Sequence, residues 1–196
     1  YYILGGRGCV GKCTYCTSGN LIRLYDYNVK KRRNRGLAQI IDELKKAKEA
    51  GFKRIWFLDE FFVLSTAKAF EFLRLYNEEV GLPFQLILHP LQIVRNPDLL
   101  DAYADAGLIG TTIGVQSGSP GFAKEFYKRS SDEALTLQFA NLLHERGIQK
   151  NYHFITNNPF ETKENLKESI LFMERMPFDY EHDRLYIFRL NNFPQT

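Results

Sequence analysis

The chain has 196 residues, of which 44% are hydrophobic and 25% charged, with a formal net charge of +3. This composition fits one globular domain with a sizeable core and excludes disordered and fibrous classes. No apolar run approaches the length that spans a bilayer and no signal-peptide pattern opens the chain, so a cytoplasmic protein is expected; a charge of +3 is too small to argue for nucleic acid as a partner.

The chain opens on an apolar run, Tyr1 to Leu4, read as strand one. Directly after it comes Arg7-Gly8-Cys9-Val10-Gly11-Lys12-Cys13-Thr14-Tyr15-Cys16, which holds all three cysteines. A basic stretch follows, with Lys30, Lys31, Arg32, Arg33 and Arg35. It reads as a solvated loop face, with an anion-binding patch as the alternative. Beyond Gly36, residues Leu37, Ile40, Ile41, Leu44 and Ala47 fall at helical spacing, and Gly51 supplies a left-handed stop. Ile55 to Leu58 is a short continuous apolar run, expected to be a strand covered on both faces.

A second helix starts near Ser65, with Phe70, Leu73 and Val80 expected inward, and ends at Gly81. Phe84 to Leu88 is strand three. Asn96-Pro97 reads as an N-cap followed by proline at the first helical position, and Gly107 closes that helix. Ile109 to Val115 is strand four, and Ser130-Ser131-Asp132-Glu133 reads as a capping box ahead of Leu135, Phe139 and Leu142, with Gly147 as the stop. Tyr152 to Thr156 is strand five, Thr162 caps a helix bearing Leu166, Ile170 and Met173, and Leu185 to Leu190 is strand six. Six strands alternating with five main helices imply parallel β/α units.

The chemistry-bearing residues follow the strands. The cysteine loop follows strand one, Asp59 and Glu60 strand two, His89 strand three, Gln116, Ser117 and Ser119 strand four, and Asn157, Asn158 and Glu161 strand five. In parallel α/β architectures the ligand site lies at that C-terminal edge, where loops converge and strand bodies are buried. Three thiolates within eight residues are one ligand short of the four that close a structural zinc centre or an ordinary cubane cluster, which leaves one metal position open. Zinc held with a distant histidine remains an alternative, although none of His89, His144, His153 and His182 lies at finger-like spacing. A disulfide framework is disfavoured by the odd count and by the size of the chain.

The C-x3-C-x2-C spacing, with aromatic Tyr15 just before the last cysteine, resembles the cluster loop of radical S-adenosylmethionine (SAM) enzymes. Arg33-Asn34-Arg35-Gly36, the helix with Asp42-Glu43, and the segment Arg54 to Phe62 resemble the subgroup often fused to a cobalamin-binding domain, which includes anaerobic tetrapyrrole cyclases and methyltransferases. Gly114 to Ser119, Asn158 to Thr162, and Phe193-Pro194-Gln195-Thr196 extend the similarity over essentially the whole chain.

The resemblance implies a six-stranded partial (β/α)6 barrel. It implies one radical SAM core domain over residues 1–196, and the opening without methionine suggests a piece of a longer multidomain chain. It also implies that Cys9, Cys13 and Cys16 hold a [4Fe-4S] cluster. The fourth iron of that cluster would chelate SAM, whose reductive cleavage gives a 5′-deoxyadenosyl radical that abstracts hydrogen from an organic substrate. Asp59 and Glu60 would accept from the SAM ammonium. Gln116, Ser117 and Ser119 would meet the ribose, Arg129 the SAM carboxylate, and Tyr15, Asn157 and Asn158 the adenine. An electron donor such as flavodoxin or ferredoxin, and a small or tetrapyrrole-like substrate, are the implied partners.

Three departures from the subgroup stand out: Asp59-Glu60 where two aspartates are frequent, Gln116 where glutamate is frequent, and Gln195 in place of the usual glycine. No Asp-x-His-x-x-Gly cobalamin signature occurs, so cobalamin would be held by segments beyond this chain. The alternatives are a methylthiotransferase acting on RNA or protein, against which Thr17-Ser18-Gly19-Asn20 lacks the usual proline, and a non-enzymatic zinc module.

Overall fold

The computed structural model describes residues 1–9, 11–18, 33–62, 64–129 and 132–191. Its strands, in chain order, are β1 (Tyr2–Ile3), β2 (Gly6–Arg7), β3 (Arg33–Asn34), β4 (Ile55–Phe57), β5 (Phe84–Gln85), β6 (Leu108–Gln116), β7 (Gln149–Thr156) and β8 (Arg184–Arg189). Its helices include α1 (Leu37–Glu49), α2 (Thr66–Glu79), α3 (Pro90–Arg95), α4 (Pro97–Asp105), α5 (Pro120–Glu125), α6 (Glu133–Glu145) and α7 (Lys163–Arg175). Six strands form one sheet in the order β1-β4-β5-β6-β7-β8, and every pairing in it is parallel. That sequential order is what successive β/α units with crossovers of one hand produce. β2 and β3 form a separate antiparallel pair between β1 and α1.

The alternation of burial along β4 corrects one expectation. Ile55 and Phe57 are buried, whereas Trp56 and Leu58 are exposed, so this strand is covered on one face only. The helices pack against the covered face, where the Phe57 ring meets Phe62, Phe72 and Phe84 edge-on. β8 is exposed along its whole length.

α1 buries Ile40, Ile41, Leu44 and Ala47 as its spacing predicts. Ser65 caps α2 by accepting from the Lys68 amide, and Leu73 and Val80 are buried as expected. Phe70 is exposed instead, because the buried stripe of α2 runs through Ala69, Phe72, Leu73 and Tyr76. On α7 the inward face is Ser169 and Phe172, which leaves Leu166 and Ile170 outside it. The apolar residues of α7 therefore misread its orientation, and only Met173 of the expected three packs on the core.

Capping is mixed. Thr162 accepts from the Asn165 amide while the Asn165 side chain accepts from Thr162, a reciprocal box. Asn96 does not cap α4; its side-chain amide donates to the Gln92 carbonyl, and Pro97 alone marks the start. Asp132, accepting from the Leu135 amide at 3.0 Å, caps α6, while Ser130 and Ser131 lie outside the described residues. The short helices α3 and α5 follow β5 and β6 and were not expected from periodicity.

At the opposite end of the sheet from the cysteines, Lys150 and Asp183 form an almost fully buried ion pair at 2.9 Å. Asp183 also accepts from the amides of Lys150 (2.7 Å) and Asp179 (2.8 Å), so its lone pairs are used. β7 begins on this polar start at Gln149, three residues before the expected Tyr152.

Candidate SAM and cluster site

The cysteine loop is fixed from beneath by the segment that follows α5. The Thr14 amide donates to the Tyr127 carbonyl at 3.2 Å and its hydroxyl to the Phe126 carbonyl at 2.5 Å. The Tyr15 ring meets the Tyr127 ring edge-on at 5.1 Å, and Phe126 stacks on Phe160 at 5.2 Å. This aromatic clamp joins the loop after β1 to the loops after β6 and β7, and sequence reasoning missed it. Cys9, Cys13 and Cys16 are free thiols, all partly exposed. Gly11 turns its amide onto the Cys9 sulfur at 3.3 Å, and a Cβ there would sit 3.3 Å from that sulfur.

These thiols suit a cluster. An iron–sulfur cubane takes each thiolate on a different iron, whereas zinc needs its ligands converged on one ion.

Arg129 is the hub of the surrounding edge. One guanidinium nitrogen donates to the Gly114 carbonyl at 2.6 Å, and the other reaches the Tyr15 hydroxyl at 3.4 Å. Burial pushes the Tyr15 phenol well above its ordinary range; the Arg129 charge opposes the rise and the adjacent Cys13 adds to it. His89, at the start of α3, is held below the usual histidine value by burial and then by the charge of Arg129. Its ring lies 5.5 Å from that of Phe61.

Gln116 ends β6 at φ 70°, a left-handed backbone that a non-glycine residue rarely adopts. The pairing register with β7 slips between Gly114 and Gln116, so Val115 bulges and the Gln116 side chain folds back over Gly114. A Cβ at Gly114 would sit 2.6 Å from the Gln116 side-chain nitrogen, so any larger residue there would push the end of the Gln116 side chain aside.

Ser117 and Ser119 are buried and bonded inside the chain. The Ser117 hydroxyl accepts from the Ser119 amide at 3.1 Å and lies 3.5 Å from the Ser169 hydroxyl, and Ser119 accepts from the Asn165 side chain at 3.1 Å. They tie the turn after β6 onto α7, so the bonds they make are internal to the chain.

Asp59 is buried and accepts from the Gly5 amide at 2.8 Å, which binds the end of β4 to the end of β1. Glu60 is half-exposed and accepts from the Ser18 hydroxyl at 3.1 Å. Asn158 accepts from the Phe160 amide at 3.0 Å. Its side chain approaches the buried Tyr127 hydroxyl without hydrogen-bond geometry, and that hydroxyl has no partner among the described residues. Glu161 accepts from Thr156 and from the Asn157 amide, and burial raises its carboxyl above the usual range.

Two clefts of about 190 Å³ each adjoin here and share Tyr15, Leu190 and Asn191. One reaches Asn158, Phe160 and the unpartnered Tyr127, and the other Gln116, Ile155 and Phe188. The structure thus brings Gln116 and Asn158 to two clefts that meet at Tyr15, and Arg129 reaches the Tyr15 hydroxyl without lining either cleft. The closing segment Phe193 to Thr196, the basic residues Lys30 to Arg32, and Gly19 and Asn20 lie outside the described residues.

Residues 3–173 match the Radical SAM superfamily. The chain belongs to that superfamily. It is 26% identical over 179 residues to an uncharacterized methyltransferase of Pyrococcus horikoshii, covering 91% of this chain and 37% of that protein. Among solved structures it resembles TsrM from Kitasatospora setae, a radical SAM methyltransferase with cobalamin and a [4Fe-4S] cluster bound (TM-score 0.79, 22% identity). That likeness covers 100% of this chain and 37% of TsrM. The chain likewise resembles OxsB, a cobalamin-dependent SAM radical enzyme with aqua-cobalamin and SAM bound (TM-score 0.73, 22% identity, 91% of this chain and 27% of OxsB). This radical SAM chain therefore spans well under half the length of the curated relatives it matches. Its fold is the partial barrel of the superfamily. No helix among the described residues is long and apolar enough to cross a membrane.

Proposed function

We propose that this domain binds a [4Fe-4S] cluster on Cys9, Cys13 and Cys16 and SAM in the two clefts beside Tyr15. The observation that carries this reading is the clamp of the cysteine loop, through Thr14 and Tyr15, against the same edge that presents Arg129 and Gln116. When bound, the cluster supplies the electron that cleaves SAM to methionine and a 5′-deoxyadenosyl radical.

The chain's own residues position the ligand. Asp59 and Glu60 supply carboxylates for the SAM ammonium, and a charge-assisted bond is roughly twice as strong as a neutral one. Arg129, held toward the sheet edge by Gly114, supplies the cation for the SAM carboxylate. Gln116 faces the ribose from its bulge, with Ser117 and Ser119 fixing the turn behind it. Tyr15 and the Asn158 segment wall the adenine, and the Tyr127 hydroxyl is a ready donor there.

The substrate is an organic small molecule, a tetrapyrrole-like one included, and the methyltransferase relative favours methyl transfer as the outcome. No residue here is assigned to cobalamin, because the chain carries no signature for it. Flavodoxin or ferredoxin is the electron donor in this reading.

The test is SAM affinity on the anaerobically reconstituted protein. D59N combined with E60Q keeps side-chain shape and removes both charges; it is expected to weaken binding by about 1.5 to 3 kcal/mol for each charged hydrogen bond lost. Unchanged affinity would remove the ammonium from this position.

A further inference from the structure

Strand β2 lies between β1 and the cysteine loop in the chain and pairs with β3 beyond that loop, and the SAM site described above makes no use of this pair. Arg7 and Arg33 are direct partners across these two strands. With Arg35, and with Leu4, Gly6 and Asn34, they line a cavity of about 380 Å³.

The charges in it are unequal. Arg35 is engaged, donating to the Glu43 carboxylate at 2.6 Å and to the Leu4 carbonyl at 3.2 Å. No hydrogen bond or ion pair among the described residues is made by the guanidinium of Arg7 or of Arg33, both exposed. Like charges directly opposite on an antiparallel pair destabilise it, and a ribbon of two residues per strand has few bonds to offset that cost. An anion between the two forks would relieve it.

We propose that Arg7, Arg33 and Arg35 form a binding site for a small molecule bearing a phosphate or carboxylate group. Planar guanidinium forks match both oxyanions bidentately, which a solvated lysine face would not do. The cavity volume lies in the range of small-ligand sites, roughly 300 to 1,000 Å³. Arg7 is two residues ahead of Cys9, so the same occupant braces the strand that delivers the cysteine loop. The inference does not depend on SAM or the cluster.

Calorimetric titration of the purified chain with inorganic phosphate, and separately with succinate, at matched ionic strength in chloride, tests it. One saturable site is expected for at least one of the two anions. Preference for phosphate marks a phosphate-bearing ligand, and preference for succinate a polycarboxylate. The R7Q/R33Q double variant should weaken binding at least tenfold, while R74Q, which removes the arginine paired with Glu78 on α2, should leave it unchanged. R33K, which keeps the charge and loses the fork, must also weaken binding, and it serves where the double variant folds poorly. Absence of saturable binding to either anion overturns the proposal, as does equal affinity in R7Q/R33Q or in R33K.

Discussion

His153 shows how one side chain on the open face of the sheet is tuned by its neighbours. Its ring lies 5.1 Å from Tyr186 and 5.0 Å from Phe188, both edge-on, and burial lowers its pKa below the ordinary value. The unfolded chain titrates this group near pH ~6.5, and the folded chain titrates it lower. Between those two values the unfolded state binds more protons, so folding stability falls as pH drops below about 6.5 and levels off beneath the folded pKa. His89 contributes in the same sense. Glu161, raised by burial, contributes in the opposite sense, with stability gained as its carboxyl protonates. The informative quantity is thus the difference between wild type and H153Q. Urea unfolding at pH 7.5 and 5.5 should show a smaller loss of stability for H153Q than for wild type, and equal losses would contradict the burial of this imidazole.

Among elements, the turn after β6 and the start of β7 carry the most specific packing. At Gly118 a Cβ would lie 2.6 Å from the Ser169 Cα and 2.7 Å from the Phe172 Cβ, and neither atom can move without shifting α7. G118A is expected to cost about 1 to 3 kcal/mol, the usual range for overpacking, read as a lower urea midpoint at unchanged slope. The Lys150–Asp183 pair predicts a larger effect, since D183N leaves a buried ammonium facing a neutral amide. That loss should be about 3 to 5 kcal/mol in the same measurement.

The legibility of these elements in the sequence differed for physical reasons. The six strands, the α1 stripe and the Ser65 and Thr162 caps were readable because they depend on local spacing and local hydrogen bonds. Phe70, Leu166 and Ile170 misled because apolar residues also occupy uncovered helix faces, and only tertiary packing decides between them. The Lys150–Asp183 pair and the Thr14 contact with Phe126 join residues 33 and 112 positions apart, beyond any local pattern. At the candidate site, the positions of the cysteines, Gln116 and Asn158 after strands were legible. The internal bonds of the Ser117 and Ser119 hydroxyls to α7 were not, because they join residues 46 and 52 positions apart.

At the scale of the whole molecule, the parallel sheet places the loops after β1, β4, β6 and β7 along one edge, with the cysteine loop clamped among them. In the function proposed above, this edge holds an iron–sulfur cluster with one iron left for SAM. This is tested most directly by anaerobic reconstitution with iron and sulfide, followed by metal analysis and electron paramagnetic resonance of the reduced protein with and without SAM. About four irons per chain are expected, as a site-differentiated cubane requires, with a resonance that changes when SAM is added. The cluster should be lost in C9A, C13A and C16A alike. Stoichiometric zinc with no iron uptake, or a cluster that survives all three substitutions, would contradict it.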